Sequence, residues 1–332
     1  MSNLLYHRNF CDSWSRAFRL LSMRGLLVLG LMLAVFGGKI LAQAPTSPAP
    51  TSKAADALIH PEEDAEKVIE GLPPNAPLVT SGPLKINNSM VVTWIVALAI
   101  IGFAQFATRK IKEVPEGAQN FWEWMVEMLY NFLETIIGHA LVKKTFWFFA
   151  TIFIFILFTN WAGLIPGVGT IGWGHLNDQG KLGHISVPLF RGANADLNLT
   201  LAMAAVFFIC WVLWAVQANG IGGFVLHIFG PKGKTEGLMK VMMVVVFILV
   251  GCLEIVSILF RPVSLSFRLY GNIFAGENML ESMSSLVPAL SWLIPIPFYF
   301  MELLVGMVQA LVFMLLTAVF TLLICQHEEG AH

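Results

Sequence analysis

Apolar residues run almost unbroken through MVVTWIVALAIIGFAQFA (90–107), TFWFFATIFIFILFTNWAGLIP (145–166) and LNLTLAMAAVFFICWVLWAV (197–216). Each is close to the ~20 residues that a helix needs to cross a hydrocarbon core. Two further apolar stretches are longer. Residues 238–286 lack an obvious loop, and as one helix they would extend about 70 Å at 1.5 Å per residue, against a core of about 30 Å. Residues 298–325 also exceed a perpendicular crossing, and the strongest turn signal between the two is the segment Pro288 to Pro297. The pattern predicts two long, tilted helices joined as a hairpin, with Pro262 able to bend the first. The alternative is two separate spans meeting at Arg261-Pro262, which would move the C-terminus to the other side of the membrane.

Residues 116–138 follow a different pattern. Glu116, Asn120, Glu123, Glu127, Asn131 and Glu134 recur at steps of three and four, which collects them on one helical face. Phe121, Trp122, Trp124, Met125, Met128, Leu129 and Phe132 cover much of the rest, and Pro115 is well placed to start the helix. This predicts an amphipathic helix lying in the membrane interface or against another helix. A plain cytoplasmic helix is the alternative, and the two tryptophans weigh against it.

The predicted fold class is therefore all-α: a polytopic membrane protein of about five membrane helices plus an interfacial helix. Composition agrees, with 57% hydrophobic and 12% charged residues in 332, where soluble domains carry about one-quarter charged residues. The net charge of −1 gives no reason to expect nucleic acid. Cys11, Cys210, Cys252 and Cys325 form no CxxC pair and read as small buried side chains. His139, His175, His184 and His227 show no metal-ligand spacing, and no cofactor fingerprint or soluble-enzyme motif is present.

Residues 1–44 combine Arg8, Arg16, Arg19 and Arg24 with the apolar run GLLVLGLMLAVFGG (25–38) and the A-x-A signal Ala42-Gln43-Ala44. That is the pattern of a cleaved signal peptide, with a retained first span as the alternative. Residues 45–85 are rich in Pro, Ala and acidic side chains and read as a loose extracytoplasmic tail. The membrane domain then covers 86–327, and 328–332 form a cytoplasmic tail. Arg109, Lys110, Lys112, Lys143, Lys144, Lys232, Lys234 and Lys240 all fall on one side if the first span exits inward. This places the N-terminus outside and the C-terminus in the cytoplasm, across a cell inner membrane.

Within the long stretch, Glu254, Ser257, Arg261, Ser264, Arg268 and Asn272 are separated by 3, 4, 3, 4 and 4 and share one face. A polar face on a membrane helix turns to protein or water rather than lipid. Glu277, nine residues past Arg268, points to the opposite face of a straight helix. In the last helix Glu302 and Gln309 are seven apart and share a face, and the hairpin sets Glu302 at the level of Glu277. Carboxyl groups such as Glu254, Glu277 and Glu302 can take up and release protons, whereas a guanidinium stays charged. The arrangement describes two half-paths separated by a fixed positive charge, which needs a moving acid from elsewhere to carry net flux. Two alternatives remain at this point. Arg268 could pair with a carboxylate of its own bundle. A secondary transporter would instead show inverted repeats, and no matching second half is visible.

RPVSLSFRLYGNIFAGE (261–277), with Glu254 upstream and VQALVFMLLTAVF (308–320) near the end, closely resembles subunit a of the F-type ATP synthase. FIFILFTNWAGLIPG (153–167), ADLNLTLAMA (195–204) and NGIGGF (219–224) are similar to that family in the same order, over about residues 85–327. The resemblance implies a non-catalytic stator subunit with two half-channels. Arg268 would face the carboxylate of a rotating c-subunit ring, and the b subunits of the peripheral stalk and the remaining Fo/F1 subunits would be its other partners in the bilayer. Carried over, Glu254 and Ser257 belong to the cytoplasmic path. Asn272, Glu277, Glu302 and Gln309 belong to the outer path and the surroundings of Arg268. The chain departs from the family in two places: both 277 and 302 are glutamates where a histidine is often found at one, and Gly163 stands where some members carry an aspartate, with Asn160 as a nearby polar group. Arg261 reads as a structural or cytoplasm-facing charge.

Overall fold

A computed structural model describes residues 87–109, 111–112, 114–165, 172–173, 187–188, 190–229, 238–286, 290 and 293–325. The expected signal peptide (1–44), extracytoplasmic tail (45–85) and C-terminal tail (328–332) lie outside the described residues. Among the described residues the chain is mostly helical, with a two-residue antiparallel pair, β1 (Gly172–Trp173) with β2 (Val187–Pro188).

Among the described residues six α-helices occur in order: α1 (Asn88–Thr108), α2 (Ala118–Ile137), α3 (His139–Gly163), α4 (Leu197–Phe229), α5 (Leu238–Leu286) and α6 (Pro295–Cys325). All but α2 are long and apolar enough to cross a membrane. Their interiors solve the problem of polar groups in lipid locally. Thr93, Thr145, Thr151, Thr317 and Thr321 each donate the hydroxyl to the carbonyl four residues back, at 2.6 to 2.9 Å, so these five hydroxyls are satisfied without water.

Two expectations about element boundaries change, and a third holds. Helix α2 starts at Ala118, after Gly117 at φ 57, rather than at Pro115. A glycine in the left-handed region reverses the chain where a side chain would be strained. The third span continues beyond 216 to Phe229, interrupted at Gly220 by a non-helical φ of 69 and ψ of 167. The long stretch 238–286 is one helix of 49 residues with Pro262 inside it, which removes the alternative of two separate spans. Cys252 also differs from expectation: it is an exposed thiol, while Cys210 and Cys325 are partly covered.

The residues group into two compact units. The first includes Leu157–Leu199 and Tyr270–Val308, together with the chain up to Ala99. In it, Ser89 Oγ at the start of α1 donates to Asp196 Oδ2 at 2.7 Å. Asn160 Nδ2, buried near the end of α3, donates to the Gly306 carbonyl of α6 at 2.9 Å, and Trp161 Nε1 donates to the Leu303 carbonyl at 3.2 Å.

The second unit comprises Ile100–Ile156 and Thr200–Leu269, with the chain from Gln309 on. Its core is aromatic and aliphatic, with Leu133, Phe146, Phe149, Met203, Phe313 and Met314 fully buried. Tyr130 of α2 meets Phe146 of α3 edge-on at 5.2 Å, and Phe148 of α3 meets Trp214 of α4 at 5.5 Å. Trp211 Nε1 of α4 donates to the Phe320 carbonyl of α6 at 3.0 Å. Helix α2 buries Trp122, Met125, Leu129, Leu133 and Ile137 on one face. Phe121, Trp124, Met128 and Phe132 stay exposed beside the polar positions Asn120, Glu127 and Asn131. That division suits a helix lying half in an apolar medium.

Helices α5 and α6 touch in each unit. Gly276 meets Glu302 in the first unit, and Arg261 lies 4.8 Å over the Phe320 ring in the second. The last two helices thus form the expected hairpin.

Candidate functional site

In the first unit, three elements converge on the carboxyl group of Glu277. Gly192 N donates to Glu277 Oε1 at 3.1 Å and Arg191 Nε donates to Oε2 at 3.3 Å. The side chains are nearly buried, at 3% exposure for Arg191 and 12% for Glu277. Backbone approach is close: a Cβ on Gly192 would fall on Glu277 Oε1, and a Cβ on Gly163 would come within 2.9 Å of the Gly192 Cα and 3.9 Å of that same oxygen. Gly163 therefore ends α3 at this site without a side chain of its own, and the third-span block supplies space.

Glu302 is 5% exposed and sits against Gly276, where any Cβ would meet its carboxyl carbon and both oxygens. Its Oε1 is buried without a hydrogen-bond partner among the described residues. A buried carboxyl group in this position is costly unless it is neutral or hydrogen-bonded. Behind it, Asn194 Nδ2 donates to Thr159 Oγ1 at 2.8 Å and to Asn160 Oδ1 at 2.6 Å. This buried polar layer runs from the segment before α4 to α3 and on to Gly306.

The second unit holds the other candidate residues. Arg268 is exposed on α5, and among the described residues it makes no ion pair or hydrogen bond. Ser257 and Ser264 on its helical face are exposed too, among the exposed apolar side chains Val256, Phe260 and Phe267. Glu254 accepts from Arg261 Nη2 at 3.1 Å, so two members of the polar face are paired with one another. Gln309 is buried at 5% exposure. Asn272, in the first unit, is exposed on its helix.

Arg191, Gly192, Asn194 and Thr159 were not among the residues expected from sequence. Their signal is faint: Arg191 is a basic residue in the loop that the lysine and arginine distribution assigns to the outside.

The chain is similar to known proteins of one family. The family model described as ATP synthase A chain matches residues 90–321. The chain is 30% identical over 210 residues to ATP synthase subunit a of Gloeobacter violaceus, covering 63% of this chain and 73% of that one. It is 30% identical over 209 residues to ATP synthase subunit a of Moorella thermoacetica, covering 63% and 78% respectively. A similar match, 30% over 208 residues, joins it to ATP synthase subunit a of Mycobacterium leprae, covering 62% and 73%. With a family match spanning all five apolar helices, the chain belongs to the ATP synthase A chain family.

Proposed function

We propose that this chain is the proton-translocating stator subunit of an F-type ATP synthase, with two aqueous half-channels and Arg268 facing a carboxylate on a ring of c subunits. The observation that carries this reading is an exposed arginine on an apolar helix that has no counter-ion among the described residues. A cation at membrane depth costs several kcal/mol unless it is paired or wetted. The exposed face around Arg268 gives a partner carboxylate access to it. At an effective dielectric of about 20, a unit charge ~4 Å away contributes about 4 kcal/mol. That is enough to hold an ionised carboxylate and to turn back a hydronium ion. Because a guanidinium does not release its proton, Arg268 separates the paths and does not relay.

Glu254 and Ser257 serve the cytoplasmic path in this reading. Asn272, Glu277, Glu302 and Gln309 serve the outer path and the neighbourhood of the arginine. The chain has no nucleotide chemistry of its own and works with the c ring, the b subunits and the remaining Fo/F1 subunits. It lies in a cell inner membrane, its N-terminus outside after loss of residues 1–44 and its C-terminus in the cytoplasm. N-terminal sequencing of the mature protein tests the cleavage.

Arg268→Ala tests the central role. We expect the complex to assemble while ATP-driven proton pumping and ATP synthesis are lost. Normal coupled activity in that variant would overturn the reading. The transporter alternative predicts solute-coupled flux by the purified chain alone; the stator reading predicts none without the c ring.

A further inference from the structure

Arg191 is gripped from one side by a single face of α5. Its guanidinium carbon lies 5.8 Å from the centroid of the Phe274 ring, and its Nε donates to Glu277, one turn further on. Tyr270 stacks on Phe274 at 5.4 Å with an interplanar angle of 17°, extending the aromatic platform by another turn. The glutamate is fixed at both oxygens, by Arg191 Nε on one and Gly192 N–H on the other. Adjacent residues of one segment thus supply both donors. The approach is possible because Gly192 has no Cβ.

We propose that Arg191 is a positioning residue for proton transfer at Glu277: seated on Phe274, it holds the carboxyl group against the Phe190–Asp196 segment in one orientation. Arginine cannot pass a proton on, so it acts through Glu277. A planar guanidinium suits the task, since it can stack on a ring and hydrogen-bond in its own plane at once. A lysine keeps the charge and loses that geometry. The inference rests on the outer-path reading of Glu277 given above.

The test uses membrane vesicles carrying the complete complex, with passive proton flux through Fo as the readout. Arg191→Gln is expected to lower flux at least about tenfold, the scale of one lost charge-assisted hydrogen bond, and Arg191→Lys to recover part of it. The decisive measurement is the double variant with Glu277→Gln. A residue acting through Glu277 adds no further loss to it, whereas an independent role makes the two losses multiply. Multiplied losses, or full flux in Arg191→Gln beside a reduced Glu277→Gln, would overturn the proposal.

Two other outcomes are separable. If Glu277→Gln alone leaves flux unchanged, the outer-path reading fails. The clamp is then read in thermal unfolding, where Arg191→Gln must lower the midpoint and the added Glu277→Gln must restore part of it. If Arg191→Gln blocks assembly, its rescue by Glu277→Gln supports the pair, because removing both partners leaves no stranded charge. Failure of that rescue overturns it.

Discussion

Gly276 and Glu302 meet so closely that a single added methyl group on the glycine would occupy the position of the carboxyl group. The buried acid of α6 is housed by the absence of a side chain on α5. Gly276→Ala should therefore displace Glu302 although alanine favours helix by about 1 kcal/mol over glycine. Overpacking of this kind costs about 1–3 kcal/mol, and we expect proton flux to fall about tenfold on the usual conversion. Gly271→Ala, five residues earlier with no atom within 4 Å of its added Cβ, is the matched control and should keep flux and thermal stability.

On the proposed function, Glu277 and Glu302 should be separable from Arg268. Glu277→Gln and Glu302→Gln remove an ionisable group while keeping size and hydrogen-bonding capacity. Each is expected to slow proton uptake from the outer side in vesicles, and the double variant to slow it more than either. Unchanged flux in both singles and in the double would count against the outer-path assignment.

Arg261 should behave differently from Arg268 although both lie on the same helical face. It is held by Glu254 at 3.1 Å and by the Phe320 ring at 4.8 Å. Glu254 is 44% exposed at its side chain, so the ion pair itself contributes little, and the ring contact adds about 0.5–1 kcal/mol. Arg261→Gln should lower the thermal midpoint of the purified complex slightly and leave coupled pumping intact. Loss of pumping with an unchanged midpoint would assign Arg261 a direct transport role.

Asn160 is the polar joint between α3, the pre-α4 segment and α6. It donates to the Gly306 carbonyl and accepts from Asn194, and the Cβ expected at Gly306 would already lie 3.1 Å from its own Cβ. Asn160→Leu leaves buried partners unsatisfied, each at a cost of about 1–3 kcal/mol. We expect a lower thermal midpoint and reduced assembly. An unaffected Asn160→Leu complex would show that water replaces the side chain.

Much of this architecture was legible from periodicity. The spans, the interfacial helix and the hairpin follow from where apolar residues are continuous and where charges recur at three and four. Arg268 stood out because a membrane helix gives a charge few places to hide. Arg191 did not, since it lies in a connecting segment with no periodic pattern. Its partner Glu277 is 86 positions away in the chain. A contact of that kind is created by folding, and no local rule encodes it. The break at Gly220 is hidden for a related reason: the apolar run ending at Val216 leads into Asn219, Gly220, Gly222 and Gly223, a composition that fixes no backbone conformation until φ is known.

That break has a consequence for how the chain meets the bilayer. From Leu197 to the residue before Gly220, α4 rises about 34 Å at 1.5 Å per residue, close to the ~30 Å of a hydrocarbon core. The apolar composition alone gives no such limit, because Ile221, Phe224 and Val225 continue it beyond the turn. A dihedral angle, rather than a charge, thus divides this apolar helix at about the length of one crossing.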